Sequence, residues 1–126
     1  EENKIMTRQE IFDWVKDQYK TEPDCPWQDQ NAVLRHRGNK KWYGLIMEVQ
    51  RARLGLPGEG TVEILNVKAD PVLVSMLREQ SGYLPAYHMN KERWITIRLD
   101  GSVPEEEIKN LIDMSYHLTK PGKTAE

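Results

Sequence analysis

The stretch that decides the fold is residues 85–104, PAYHMNKERWITIRLDGSVP, where a polar segment runs into a strand, a tight turn and a helix start. Within it, residues 94–99 alternate in character. Ile95, Ile97 and Leu99 point to one side, and the residues between them point to the other. Such alternation is typical of a strand with one buried face. We therefore expect this strand to lie in the core.

The residues after this strand predict a closing helix. Asp100-Gly101 is a turn sequence, and Ser102 with Glu105 has the spacing of a capping box around Pro104. One face of the helix is predicted to pack on the sheet through Ile108, Leu111, Ile112, Ser115 and Leu118. Pro121-Gly122 is predicted to end it.

Two further helices are predicted before residue 85. Thr7 and Glu10 match another capping box, which begins a helix that Pro23 and Pro26 are predicted to end. Asp70-Pro71 begins a short second helix. The apolar faces of the two helices are predicted to hold Ile11, Trp14, Val15 and Tyr19 in the first, and Val72, Leu73, Met76 and Leu77 in the second.

Strands are predicted at residues 32–37, 42–49 and 62–68, with a hairpin turn at 38–40 and a loop at 51–60. Strict alternation would place Tyr43, Leu45, Met47 and Val49 on one face of the second strand. Because short links join consecutive strands, the sheet should be antiparallel.

The predicted fold class is α+β, an antiparallel sheet covered on one face by N- and C-terminal helices, with a short helix between strands. Residues 7–120 are predicted to form a single domain. Residues 1–6 are interpreted as a flexible end or an expression remnant, and residues 121–126 as a disordered tail.

The overall composition restricts the class of protein. A chain of 126 residues suits one domain, and no apolar run approaches the roughly 20 residues of a membrane span, so no membrane partner is predicted. The one cysteine, Cys25, cannot form an intramolecular disulfide, which favours a reducing cytoplasm. No cofactor or metal site is predicted, since Asp113 and His117 alone would form only half of one.

The net charge of −2 confines any nucleic-acid role to a local patch. The candidate patch is the hairpin, because no acidic residue occurs from Gln30 to Met47. Its predicted contacts are Arg35, Arg37, Lys40, Lys41 and Trp42, extended by Arg51 and Arg53 in the next loop, with His36 and Tyr43 interleaved. Weak, salt-sensitive DNA binding is the leading hypothesis. The alternative is a solvated hairpin whose charges protect an edge strand from aggregation.

A second hypothesis is a small-molecule or protein-binding module without catalysis. Its pocket would be built around His88, Asn90, Lys91, Trp94 and Tyr116. The competing interpretation is that His88 and Asn90 hydrogen-bond to loop backbone and that Trp94 belongs to the core. An enzyme with His88 as general base would need a second group that the sequence does not identify, so a non-enzymatic role is predicted.

The chain resembles the MmcQ/YjbR-like family of small bacterial proteins from about residue 7 to residue 120. The matching signature is a histidine-x-asparagine-lysine segment, a tryptophan, a leucine-aspartate-glycine turn and a helix ending in serine-tyrosine. These residues are His88, Asn90, Lys91, Trp94, Leu99, Asp100, Gly101, Ser115 and Tyr116. The segments at 41–46 and 68–71 also resemble the family.

The resemblance implies a frataxin-like (CyaY-like) fold. Members of the family are described as DNA-binding proteins with a double-wing arrangement or as proteins of unknown function, and the family offers no catalytic residues to carry over. The frataxin-like fold also raises iron binding through an acidic first helix. That helix contains only Glu10, Asp13 and Asp17 as acids, interrupted by Lys16.

Overall fold

A computed structural model describes residues 4–25 and 30–120. Its helices are α1 (Arg8–Tyr19), α2 (Pro71–Leu77) and α3 (Glu105–Thr119), with a 3-10 helix at Arg51–Leu54. Its strands are β1 (Ala32–Arg35), β2 (Trp42–Gln50), β3 (Thr61–Lys68), β4 (Tyr83–Pro85) and β5 (Trp94–Arg98). The predicted order of helices and strands is confirmed, and the segment before residue 86 supplies a short additional strand.

The strands form one sheet in the order β1-β2-β3-β5-β4, and every neighbouring pair is antiparallel. The long central pair joins β2 to β3 from Gly44↔Val67 to Gln50↔Thr61. Asp24 adds an isolated bridge to Val33 at the β1 edge. The predicted α+β class with an antiparallel sheet is therefore confirmed.

The main core lies between this sheet and the helices. Ile11 and Val15 of α1 and Ile108 and Ile112 of α3 pack with Ile97 and the other inward-facing strand residues. The alternation predicted for β5 is confirmed, because Ile95, Ile97 and Leu99 all belong to this core. Met6 is also buried, with 2% of its surface exposed, so the core extends into the segment that was interpreted as a flexible end.

The helix ends agree only in part with the predicted signals. The capping box of Thr7 and Glu10 is present, but α1 ends at Tyr19 because Lys20 adopts a left-handed conformation with φ 61°, before Pro23 is reached. The box predicted for Ser102 and Glu105 is wrong. The Ser102 hydroxyl donates to Asp100 Oδ1 instead, and Pro104 is the N-cap of α3 without a side-chain cap.

A β-bulge changes the predicted face of Tyr43. The register between β1 and β2 shifts, so that Leu34 pairs with Gly44 while Arg35 pairs with Trp42, which leaves Tyr43 as the extra residue on β2. Tyr43 therefore turns into the main core, whereas Met47 and Val49 face the opposite side of the sheet. Strict alternation along β2 was the wrong assumption.

Two predicted helix faces also need correction. On α3, Leu118 is exposed and Thr119 takes the buried position. On α2, Val72 and Met76 are exposed while Val74 faces the core, because the seven-residue helix is too short to hold a broad apolar face against the sheet.

The predictions for residues 1–3, Pro26 and residues 121–126 lie outside the described residues. Among the helices of the described part of the chain, none is long and apolar enough to cross a membrane.

The other face of the sheet carries a smaller core, which the sequence did not predict. Val49, Val62 and Ile64 are buried there beneath Leu54 of the 3-10 helix and Tyr87 of the β4–β5 loop. Both loops therefore fold back over the sheet and form the walls of a groove.

Candidate nucleic-acid interface and sheet-face groove

The basic hairpin, residues 35–42, lies at the end of the sheet where β1 turns into β2. Arg37, Lys40 and Lys41 are exposed at its tip. The Arg35 Nε lies 2.9 Å from Asp24 Oδ2, and its guanidinium lies 5.7 Å from the centre of the Trp42 ring. Arg35 is therefore partly neutralised, and the tip cations carry the positive charge of this surface.

His36 belongs to the core and not to this surface. Only 2% of it is exposed, and its Nε2 lies 2.8 Å from Thr119 Oγ1. Burial lowers the pKa of His36, and the nearby charges of Lys120 and Lys41 lower it further, while a hydrogen bond to the Tyr116 backbone opposes them. At neutral pH the imidazole is accordingly uncharged.

The end of α3 fixes the hairpin in place. Asn39 Nδ2 donates to the Thr119 carbonyl at 3.1 Å, and the Asn39 side chain also accepts from the Lys41 amide at 3.0 Å. Lys120 follows directly as the C-cap residue of α3 and is exposed. Lys120 was not among the predicted contacts, although its place at a helix C-terminus was the available signal.

Tyr116, predicted as a pocket residue, lies in an aromatic cluster on the helix side of the sheet. Its ring stacks on Tyr19 with centroids 3.8 Å apart and packs against His36 at 4.2 Å. Burial and the hydrogen bond to Asp113 raise the pKa of Tyr19, and burial raises the pKa of Tyr43 to about 12. The Tyr19 and Tyr43 hydroxyls therefore stay protonated at neutral pH.

The predicted nucleic-acid contacts do not form one patch. Arg51 and Arg53 follow the far end of β2, which is nine residues long and therefore spans about 30 Å. Arg51 Nε donates to the Pro57 carbonyl at 2.7 Å and holds its own loop together. Arg53 is exposed and turns towards the groove on the sheet face.

The segment His88 to Trp94 combines structural and exposed groups. Asn90 Oδ1 accepts hydrogen bonds from the amides of Glu92 and Arg93 at 2.9 and 3.0 Å, which makes it a turn cap. Lys91 Nζ donates to the Ala86 carbonyl at 2.7 Å. Trp94 begins β5 and is partly buried. Of the predicted pocket residues, His88 and Lys91 line the same cavity.

A closed ring of hydrogen bonds holds this loop on the sheet. Asn66 Nδ2 donates to the Tyr87 carbonyl at 3.0 Å, the Tyr87 amide donates to Thr96 Oγ1 at 2.9 Å, and the Thr96 hydroxyl donates to Asn66 Oδ1. Both Asn66 and Thr96 are fully buried. Both backbone polar groups of Tyr87 are therefore hydrogen-bonded, as they would be in a strand within a sheet.

The sheet-face groove is the cavity beside this loop, with a volume of about 350 Å³. Its lining residues come from the 3-10 helix, β4 and the β4–β5 loop: Arg53, Leu54, Leu84, Pro85, Ala86, Tyr87, His88 and Lys91. A second cavity of about 300 Å³ shares Arg53, Tyr87 and His88 with it but also contains Glu48. The first cavity is lined by two permanent cations and no carboxylate.

The described residues contain no group of three or more potential metal ligands among His, Cys, Asp and Glu. On the surface of α3, Asp113 Oδ1 lies 3.5 Å from His117 Nε2 and accepts from the Tyr19 hydroxyl at 2.6 Å. Cys25 is exposed.

The fold and these surfaces define a class: a small α+β domain with a five-stranded antiparallel sheet and three helices. The YjbR family model matches residues 16–118, and the chain belongs to this family. Uncharacterized protein YyaQ of Bacillus subtilis is 52% identical over 118 residues, which cover 92% of this chain and 100% of YyaQ. Uncharacterized protein YjbR of Escherichia coli K12 is 43% identical over 53 residues, covering 41% of this chain and 45% of YjbR.

Solved structures agree with the fold. The crystal structure of a Pseudomonas syringae protein superposes with a TM-score of 0.88 at 43% identity and covers 91% of this chain and 100% of its own. The crystal structure of a Deinococcus radiodurans protein gives a TM-score of 0.70 at 25% identity and covers 94% of this chain and 81% of its own.

Proposed function

We propose that this protein is a non-enzymatic cytoplasmic DNA-binding protein that uses the tip of the basic hairpin. The proposal rests on the exposure and the charge of Arg37, Lys40 and Lys41. All three are exposed, and none forms an ion pair with a carboxylate of the described residues. Cations of this kind neutralise backbone phosphates and release their counterions.

The anchoring of the hairpin supports the same proposal. Because Asn39 and His36 are hydrogen-bonded to Thr119, the tip is held in one position before any ligand arrives. Preorganisation of this kind lowers the entropic cost of binding. Lys120 lies beside the hairpin and is a fourth candidate phosphate contact. The frataxin-like fold and the double-wing arrangement implied by the family resemblance stay predictions.

Fluorescence anisotropy with labelled duplex and single-stranded DNA across a salt series tests the proposal. If three phosphates of duplex DNA are neutralised, the logarithm of the association constant should fall linearly with the logarithm of the salt concentration, with a slope of about −2.7. Arg37→Gln should reduce that slope by about 0.9.

Arg53→Gln is the matched control, because it removes the same charge from an exposed arginine beyond the far end of β2. It should leave DNA binding unchanged. The proposal fails if no binding is detected at low salt, or if the two variants weaken binding equally.

A further inference from the structure

We infer that the sheet-face groove is a binding site for a small aromatic anion, separate from the basic hairpin. The first argument is its charge. Arg53 and Lys91 both line the groove, and no carboxylate does. Arg53 has no hydrogen bond or ion pair among the described residues, and Lys91 uses one of its three donors on Ala86. Both cations thus have donors left for an anionic group.

The second argument is the chemistry of the remaining walls. Leu54, Leu84 and Pro85 present apolar surface, and the partly buried Tyr87 ring completes it. A cavity with apolar walls and a few convergent polar groups is the usual form of a small-molecule site. Its volume of about 350 Å³ is near the lower end of such sites, which suits a single ring with one anionic substituent.

The third argument is rigidity. The rings of Tyr87 and His88 are stacked with centroids 4.0 Å apart and planes 13° from parallel. His88 has a left-handed backbone with φ 62°, which is uncommon for a residue other than glycine. The hydrogen-bond ring through Asn66 and Thr96 fixes the preceding residue. The stacked Tyr87 and His88 rings therefore have fixed positions beside the cations. A flat ring can bind there without rearrangement of the loop.

The ligand chemistry is an aromatic ring bearing a carboxylate or a phosphate. Benzoate and phenyl phosphate are suitable probes for these two sources of the anionic group. Benzamide has nearly the shape of benzoate without its charge, and acetate has the charge without the ring. The amide resonances of Arg53, Tyr87 and His88 should shift saturably in ¹⁵N NMR titrations with at least one aromatic anion. Benzamide and acetate should each bind at least about tenfold more weakly.

The variant Arg53→Gln should weaken binding of the better-binding aromatic anion about tenfold, as expected for the loss of one charge-assisted contact. The matched control is Arg93→Gln, an exposed arginine of the β4–β5 loop that does not line the groove. It should leave the affinity unchanged. A correctly folded Arg53→Gln protein is recognised by amide shifts that match the wild type outside the groove.

The inference is overturned if neither aromatic anion shifts the groove amides saturably, if benzamide binds as well as the better aromatic anion, or if Arg93→Gln weakens binding as much as Arg53→Gln. These outcomes are independent of DNA binding. Arg37, Lys40 and Lys41 line no part of the groove, so failure of the hairpin proposal leaves the anion titration unaffected.

Discussion

Ser115→Ala should destabilise the protein strongly, because one hydroxyl joins α3 to two strands. Ser115 is fully buried. Its Oγ donates to the Tyr43 carbonyl at 2.6 Å and accepts from the Lys68 amide at 2.9 Å. Alanine would leave both backbone groups without this partner inside the structure, and each such group costs about 1–3 kcal/mol. We expect the free energy of unfolding to fall by about 2–6 kcal/mol in total.

Urea denaturation measures this change. With an m-value of about 2 kcal/mol/M, the midpoint should fall by about 1–3 M. The matched control is Ser75→Ala, because Ser75 is exposed on α2 and the substitution should change stability by less than about 0.5 kcal/mol. Hydrogen exchange gives a local measurement, since the Lys68 amide should lose protection only in Ser115→Ala. A loss below about 0.5 kcal/mol, or unchanged protection of Lys68, would refute the reasoning.

Two further predictions concern pH and backbone strain. The lowered pKa of the buried His36 means that the unfolded chain takes up a proton first as pH falls. Stability should therefore be constant above about pH 7 and decrease below the ordinary histidine pKa of about 6.5, by at most about 1.4 kcal/mol per pH unit. His36→Gln should flatten this slope in thermal unfolding between pH 7.5 and pH 5.5, and an equal slope in both proteins would count against a neutral His36. Gly82→Ala should destabilise the protein by at least about 1 kcal/mol more than Gly55→Ala in urea. Both glycines have positive φ, but a Cβ at Gly82 would lie 2.6 Å from Val103 Cγ2, whereas nothing lies within 4 Å at Gly55; equal costs would contradict this.

The parts of the fold that were predicted correctly depend on short-range patterns. The alternation of Ile95 and Ile97 and the capping box of Thr7 and Glu10 each involve residues within one turn or one pleat. Such signals are complete within a few residues of sequence. The capping-box spacing at Ser102 failed because α3 begins at Glu105 with Pro104 as its N-cap, and Ser102 lies in the preceding turn, where its hydroxyl donates to Asp100 Oδ1.

The candidate sites were harder to predict, because their members meet only in three dimensions. Arg53 and His88 share a groove although 34 intervening residues separate them, and the loops that carry them approach the sheet from different strands. His36 was interpreted as part of a basic surface, but its partner Thr119 lies 83 residues away. A bulge turned Tyr43 into the core. None of these placements follows from local periodicity.

The hydrogen bonds from the hairpin to Thr119 also set an order of events during synthesis. The hairpin residues His36 and Asn39 leave the ribosome about 80 residues before Thr119 does. Contacts between such distant positions form only after the intervening chain is available. The hairpin therefore reaches its docked position only once α3 has been made and folded, and a nascent chain lacking α3 would hold the tip of the hairpin more loosely.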